Sequence, residues 1–265
     1  MSRIGSIGFL LGLVTCGFTL PAAAADMPVK AVRPAPEPSW TGCYIGGHAG
    51  GAYSETHWTY RNINPYDAPG AGGPILATNN DFKASSWIGG GQIGCNIQYD
   101  RVVIGAEGSW SGTDLDQTNL NVVQIFAPSI QTVNTTIKSL GMATVRAGYV
   151  VMPSLLAYVK GGYASGRVQT SGQTIPPIPG LNLNWTTSQR HSGHTVGGGL
   201  EVLTQDRFTF AMEYDFVRLN SRDHVGAVSG GAIGPANQIV HSVVSDVHAV
   251  TLRANYLFGG PGSWQ

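Results

Sequence analysis

The chain has 265 residues, 42% of them hydrophobic and only 11% charged, with zero formal net charge and a mean hydropathy of +0.02. Its charge content is less than half of the roughly 25% usual in soluble domains, and no stretch is long and apolar enough for a transmembrane helix. A neutral chain without a basic stripe also offers nothing to nucleic acid.

Residues 1–25 read as a secretory signal peptide. Arg3 supplies a short basic start, Ile4 to Leu20 an apolar stretch, and Ala22 to Ala25 the small residues of a cleavage site. Thr15 before Cys16 fits a lipid-anchored cysteine poorly. Residues 26–39 (DMPVKAVRPAPEPS) are Pro-rich and aperiodic, and read as a periplasmic linker. From residue 40 to 258 the chain alternates apolar and polar positions in eight segments. These are 40–53, 87–99, 102–110, 137–150, 155–168, 191–203, 207–219 and 246–258. Period-2 alternation is the signature of strands with one greasy and one wet face. In the hairpin Trp87 to Trp110, Ile93, Ile97, Ile104 and Ala106 share the greasy face, whereas Gln92, Asn96 and Glu107 share the other. In the seventh segment, Phe208, Phe210, Met212, Tyr214 and Phe216 alternate with Thr209, Ala211, Glu213 and Asp215. Residues 259–265 form a short tail.

Connections between these segments alternate long, short, long, short, long, short, long. The long ones are 54–85, 112–136, 169–190 and 220–245; the short ones centre on Asp100, Pro153 and Gln205. This asymmetry predicts an all-β, eight-stranded antiparallel up-and-down transmembrane β-barrel, with four long outer loops and three short periplasmic turns. Trp40, Trp87, Tyr99, Trp110, Tyr149, Phe208, Phe216, Tyr256 and Phe258 bracket the greasy face and predict an aromatic belt. A soluble eight-stranded barrel is the rival, but it would be greasy inside, and here the ionisable residues lie opposite the aromatics.

Inward parity collects Glu107, Glu201, Glu213 and Asp215 against Arg146, Lys160 and Arg253. Lys138 shares that parity. Eight strands leave room only for side chains, so these charges are expected to pair in a polar plug; an ion-conducting lining is the alternative. No phosphate loop, HExxH or GxSxG motif is present, and no cofactor is expected. Asp223-His224 is the nearest approach to an acid/base pair, but it lacks a third positioning group, so the chain reads as no enzyme. Five histidines, His57, His191, His194, His224 and His241, fall in or beside the outer loops and are candidates for haem or metal ligation, against a bland reading as polar loop residues. Cys43 and Cys95 both take outward parity near the periplasmic rim. A directly opposed pair can bridge, a diagonal pair cannot, and two free thiols are the other reading.

In order along the chain, WTGCYIGGHAG (from Trp40), WIGGGQIGCNIQ (from Trp87), VVIGAEGSWSG (from Val102), ATVRAGY (from Ala143), YVKGGYASG (from Tyr158), TVGGGLEV (from Thr195), FAMEYDFV (from Phe210) and VTLRANYLF (from Val250) resemble one family. It is the small alphaproteobacterial outer-membrane β-barrel proteins, porin-like surface antigens related to the transmembrane domain of OmpA. The resemblance implies an abundant outer-membrane protein with roles in envelope integrity and host or environmental contact. Its implied partners are outer-membrane lipids, lipopolysaccharide and the barrel-insertion machinery. Some relatives are similar to haemin-binding proteins. Cys43 and Cys95 stand where the family usually carries aromatics, and the chain continues past the terminal aromatic Phe258.

Overall fold

The computed structural model describes residues 38–64, 76–77, 80–124, 130–175, 184–227 and 238–259. The signal peptide, most of the linker and residues 260–265 lie outside them, as do the tips of the four long connections. Eight long strands carry the fold: β1 Gly42–Asn64, β2 Asn80–Tyr99, β3 Val102–Gln124, β4 Ile130–Met152, β5 Leu155–Ile175, β6 Trp185–Leu203, β7 Phe208–Ala227 and β8 Gln238–Phe258. Each pairs antiparallel with its neighbours in sequence, and β1 pairs with β8 from Cys43↔Phe258 to Asn64↔Gln238, so the ring is closed; toward the outer end the β2–β3 pairing stops at Ile88↔Thr113 and the β6–β7 pairing at Gly193↔Leu219. A two-residue strand, Leu76–Ala77, adds to β3. The three short turns are tight; at one of them Asp100 takes φ 51°, a left-handed conformation that Asp tolerates better than most residues.

The strands run well past the predicted segments. Most of each predicted outer loop is strand: β1 continues to Asn64, β3 to Gln124, β5 to Ile175 and β7 to Ala227. At about 3.3 Å per residue and the roughly 40° tilt usual for such barrels, 19 to 23 residues make a wall on the order of 50–60 Å tall. The apolar band of an outer-membrane barrel needs only about 25 Å.

The extra height is built on a reversed pattern. Near the turns the outward face is apolar: Ile45, Ile93, Ile97, Ile104, Val145, Val159, Leu200, Phe210 and Leu252 are all exposed. The band ends below at Tyr99, Tyr149, Phe208, Tyr256 and Phe258, and above at Tyr53, Trp87, Trp110 and Tyr163. Beyond the upper aromatics the outward positions carry exposed ion pairs: Lys83–Glu55 at 3.1 Å, Lys138–Asp114 at 2.8 Å and Arg218–Asp246 at 3.4 Å. Inward positions there turn apolar, and Trp58, Phe82, Leu115, Ile137, Leu140, Val168, Trp185, Leu219 and Val243 pack into one core. Within the bilayer the wall is therefore greasy outside; above it the wall is built like that of a soluble barrel.

Two expectations are corrected. Trp40 does not join the belt. It is 1% exposed and packs inside with Tyr44, Val103, Val150, Leu156, Tyr158, Leu203 and Leu257, at the periplasmic end of the barrel. The chain folds inward there before β1 begins, and the Trp40 backbone N–H donates to Gln98 Oε1 at 2.8 Å. Lys138 does not point inward, because a bulge between Ile137 and Ser139 turns it to the outer face, against Asp114. Phe216 sits half-buried against the His248 ring, with centroids 5.1 Å apart.

Cys43 and Cys95 are directly opposed on β1 and β2 and joined as a disulfide, S–S 2.07 Å. Register decides the outcome here: a slip of one residue would have sent one sulfur into the barrel.

Candidate functional site in the barrel interior

The charged interior sits between the periplasmic cap and the upper apolar core. Glu107 comes from β3, Arg146 from β4, Lys160 from β5, Glu201 from β6, Glu213 and Asp215 from β7, and Arg253 from β8. All seven are buried. Arg253 is the central brace. Its Nη2 donates to Glu107 Oε2 at 2.6 Å and its Nη1 donates to Glu213 Oε2. Lys160 Nζ lies 2.8 Å from Glu213, 3.2 Å from Asp215 and 3.6 Å from Glu107. Arg146 Nη2 reaches Glu201 at 2.5 Å, and its guanidinium lies 4.0 Å from the centroid of the Tyr158 ring.

Four carboxylates face three cations, and hydroxyls and amides add to the bonding, though Arg146 Nε and Arg253 Nε stay without a hydrogen-bond partner among the described residues. Tyr44 OH donates to Glu107 at 2.6 Å, Tyr158 OH to Glu213 at 2.5 Å and Thr209 Oγ1 to Glu201 at 2.6 Å. Gln92 Nε2 donates to Asn255 Oδ1 at 2.6 Å. With Tyr44 on β1 and Gln92 on β2, every strand contributes a side chain. Tyr44 and Gln92 were missed as members of the network, although inward parity marked both. An interior tyrosine looks in sequence like a belt residue.

Glycine makes the packing possible at one row. Lys160, Gly197 and Asp215 are directly opposed across β5, β6 and β7. A Cβ on Gly197 would stand 2.2 Å from Asp215 Oδ1, so the missing side chain is the slot through which Asp215 leans toward Lys160. Above this layer, among His48, Met142, Asp215 and Val217, a cavity of about 20 Å³ has room for about one water.

The histidines divide. His57 and His194 lie on the outer face, on β1 and β6, three strands apart around the ring; His57 pairs with Asp81 at 2.7 Å. His191, His224 and His241 lie on strands, not loops, and all are 0% exposed inside the barrel. His191 Nε2 and His224 Nε2 are 2.7 Å apart, and Thr170 Oγ1 bridges His224 Nδ1 at 3.3 Å and His241 Nε2 at 3.1 Å. The His191 Nδ1–H donates to the Asn220 carbonyl at 3.1 Å. That bond fixes the rest of the chain. His191 Nε2 accepts from His224, Thr170 donates to His224 Nδ1, and His241 donates to Thr170, with all three rings neutral.

Burial lowers the pKa of all three. His224 falls to about 4 by burial and then by the neighbouring His191; His241 falls to about 3 by burial and then by His224. The structure does not bring the five histidines together as one ligand set. No group of three or more His, Cys, Asp or Glu among the described residues is arranged to hold a metal ion, and the three that converge are closed to solvent. Asp223 and His224 take opposite faces, exposed and buried, so they form no acid/base pair.

Residues 12–258 match the family described as outer membrane protein beta-barrel domain. The chain is 27% identical over 256 residues to the 31 kDa outer-membrane immunogenic protein of Brucella melitensis biotype 1, a match covering 94% of this chain and 98% of that protein. The protein of the same name from Brucella suis biovar 1 matches to the same extent. Among solved structures, the outer membrane protease OmpT of Escherichia coli aligns over 83% of this chain and 98% of its own, with TM-score 0.51 and 6% identity, a likeness of fold alone. The outer membrane protein OprG of Pseudomonas aeruginosa covers the same share of this chain and 99% of its own, at 11% identity and TM-score 0.43. The closed ring of eight amphipathic strands and the match along nearly its whole length lead to one conclusion: the chain belongs to the outer membrane protein β-barrel domain family and resides in the outer membrane.

Proposed function

We propose that this protein is a non-enzymatic barrel whose lumen is sealed, serving envelope integrity and contact with host or environmental surfaces through its outer end. The observation that carries the reading is the stacked interior. An apolar cap, a charge network fed by all eight strands and an apolar core lie one above another, and the cavity between the last two has room for about one water. That stacking supports a lumen without a continuous aqueous path through the described residues. The name of the Brucella relatives, an outer-membrane immunogenic protein, supports surface exposure. Contacts with lipopolysaccharide, the barrel-insertion machinery and external ligands belong to the same proposal.

Liposome swelling tests it. Vesicles carrying the refolded protein should swell no faster in small neutral sugars than empty vesicles. Rapid, size-dependent swelling would establish a diffusion porin instead.

A further inference from the structure

On the outer face of β5 and β6 three pairs stand in register above the bilayer band: Tyr163↔His194, Ser165↔Ser192 and Arg167↔Arg190. Like charges directly opposed across a sheet are unfavourable. Elsewhere at this level the sheet sets cations beside carboxylates, with Lys83 on Glu55, Lys138 on Asp114 and Arg218 on Asp246. On β5 and β6 it does not. Their described residues include one carboxylate, Glu201, and that points inward. Arg167 and Arg190 are exposed, and neither has an ion-pair partner among the described residues. Two guanidinium groups on neighbouring strands, with Cβ atoms about 5 Å apart, suit one tetrahedral oxyanion bound bidentately.

A second observation comes from above the pair. Four residues further up the same strands, Ser171 faces Thr186, and the two border an outer-face hollow of about 690 Å³. Thr118, Asn134 and Gln173 also line it, and among the described residues its lining carries no charge. Hydroxyls and amides without charge suit the alternating donors and acceptors of a sugar. From the membrane upward the face thus offers an aromatic ring at the hydrocarbon edge, a hydroxyl pair, a guanidinium pair and a polar hollow.

We infer that this face binds a phosphorylated glycolipid of the outer leaflet, with its acyl chains beside Tyr163, a phosphate between Arg167 and Arg190, and its sugars in the hollow above. The site rests on the outer-membrane location and is independent of whether the lumen conducts.

The test uses the full-length mature protein in phospholipid nanodiscs doped with a phosphorylated glycolipid, with retained lipid read by native mass spectrometry. One glycolipid should stay bound to the wild type, and retention should fall about tenfold or more in R167Q/R190Q, given the strength of charge-assisted bonds. K83Q, a cation of an ion pair on β2, should retain it fully. The dephosphorylated glycolipid should be retained as poorly as by the double variant. Adding inorganic phosphate or an acyl-free phosphosugar at the same concentration should not displace the bound lipid. Equal retention by wild type and double variant overturns the site, and displacement by inorganic phosphate overturns the lipid assignment. Both arginines are exposed, so the double variant should fold, and heat-modifiable gel migration checks this.

Discussion

Replacing Glu213 with Ala should lower the unfolding free energy by about 3–5 kcal/mol, the range for removing one partner from a buried ion pair. Glu213 accepts from Tyr158, Lys160 and Arg253. Without it, Lys160 keeps Asp215 and Glu107, and Arg253 keeps Glu107 alone. The cost is that of two buried cations left under-compensated. Urea-driven unfolding in micelles or thin vesicles measures it. Glu213→Gln should lose less, because an amide oxygen still accepts from Tyr158 or Arg253. Glu55→Ala, at an exposed pair with Lys83, should leave the midpoint unchanged. A loss at Glu213 as small as that at Glu55 would mean the lumen is wet and the network loosely held.

Acid should loosen the outer end of the barrel while the bilayer band stays folded. An unfolded histidine titrates near 6.5, whereas His224 and His241 inside titrate at about 4 and about 3. Above pH 6.5 both states are neutral and stability is flat. As pH falls below 6.5 the open form takes up protons that the closed form refuses, so stability is lost down to the folded values and then levels off. At about 1.4 kcal/mol per pKa unit, His224 alone contributes roughly 3 kcal/mol to that loss. Arg222 and Asp223 are the charged neighbours: Arg222 lowers His191, and the effect of the Asp223 carboxylate, which raises His224, is already contained in its value of about 4. Trp58 and Trp185 flank His241, with ring centroids 4.6 and 4.8 Å away, so their fluorescence reports the opening. Amide exchange should quicken at the outer ends of β6, β7 and β8 between pH 7 and pH 4. Unchanged exchange over that window would show that the three rings are not closed to protons.

The membrane half of the fold was legible because its alternation is strong and its turns are short. Phe208 to Phe216 has no competing interpretation, and the charges opposite it fall at one height once the register is fixed. The outer half was not legible as strand, for a definite reason. On β1, inward Tyr44, Gly46 and His48 give way to Ala52 and Trp58, while outward Ile45 and Tyr53 give way to Glu55 and His57. The period of two persists but its phase inverts near residue 53. An eye following one greasy face sees the pattern stop there. The histidine cluster fell in the same blind region: His224 and His241 are directly opposed only because β7 and β8 run on past their predicted ends. Trp40 was misplaced although its parity, shared with Tyr44 and His48, pointed inward: a Trp at the end of a segment looks like a belt residue. The disulfide needed register, which alternation alone does not set.

The central claim is that the lumen is sealed, and single-channel recording in planar bilayers tests it most directly. Purified, refolded protein should insert without steady conductance at neutral pH. Glu213→Ala, which removes the shared anion beside Arg253 and Lys160, should give at most brief, irregular openings. Stable ohmic steps from the wild type, shifted in ion selectivity by Glu213→Gln or Arg253→Gln, would contradict the account and make the charged layer the lining of a pore.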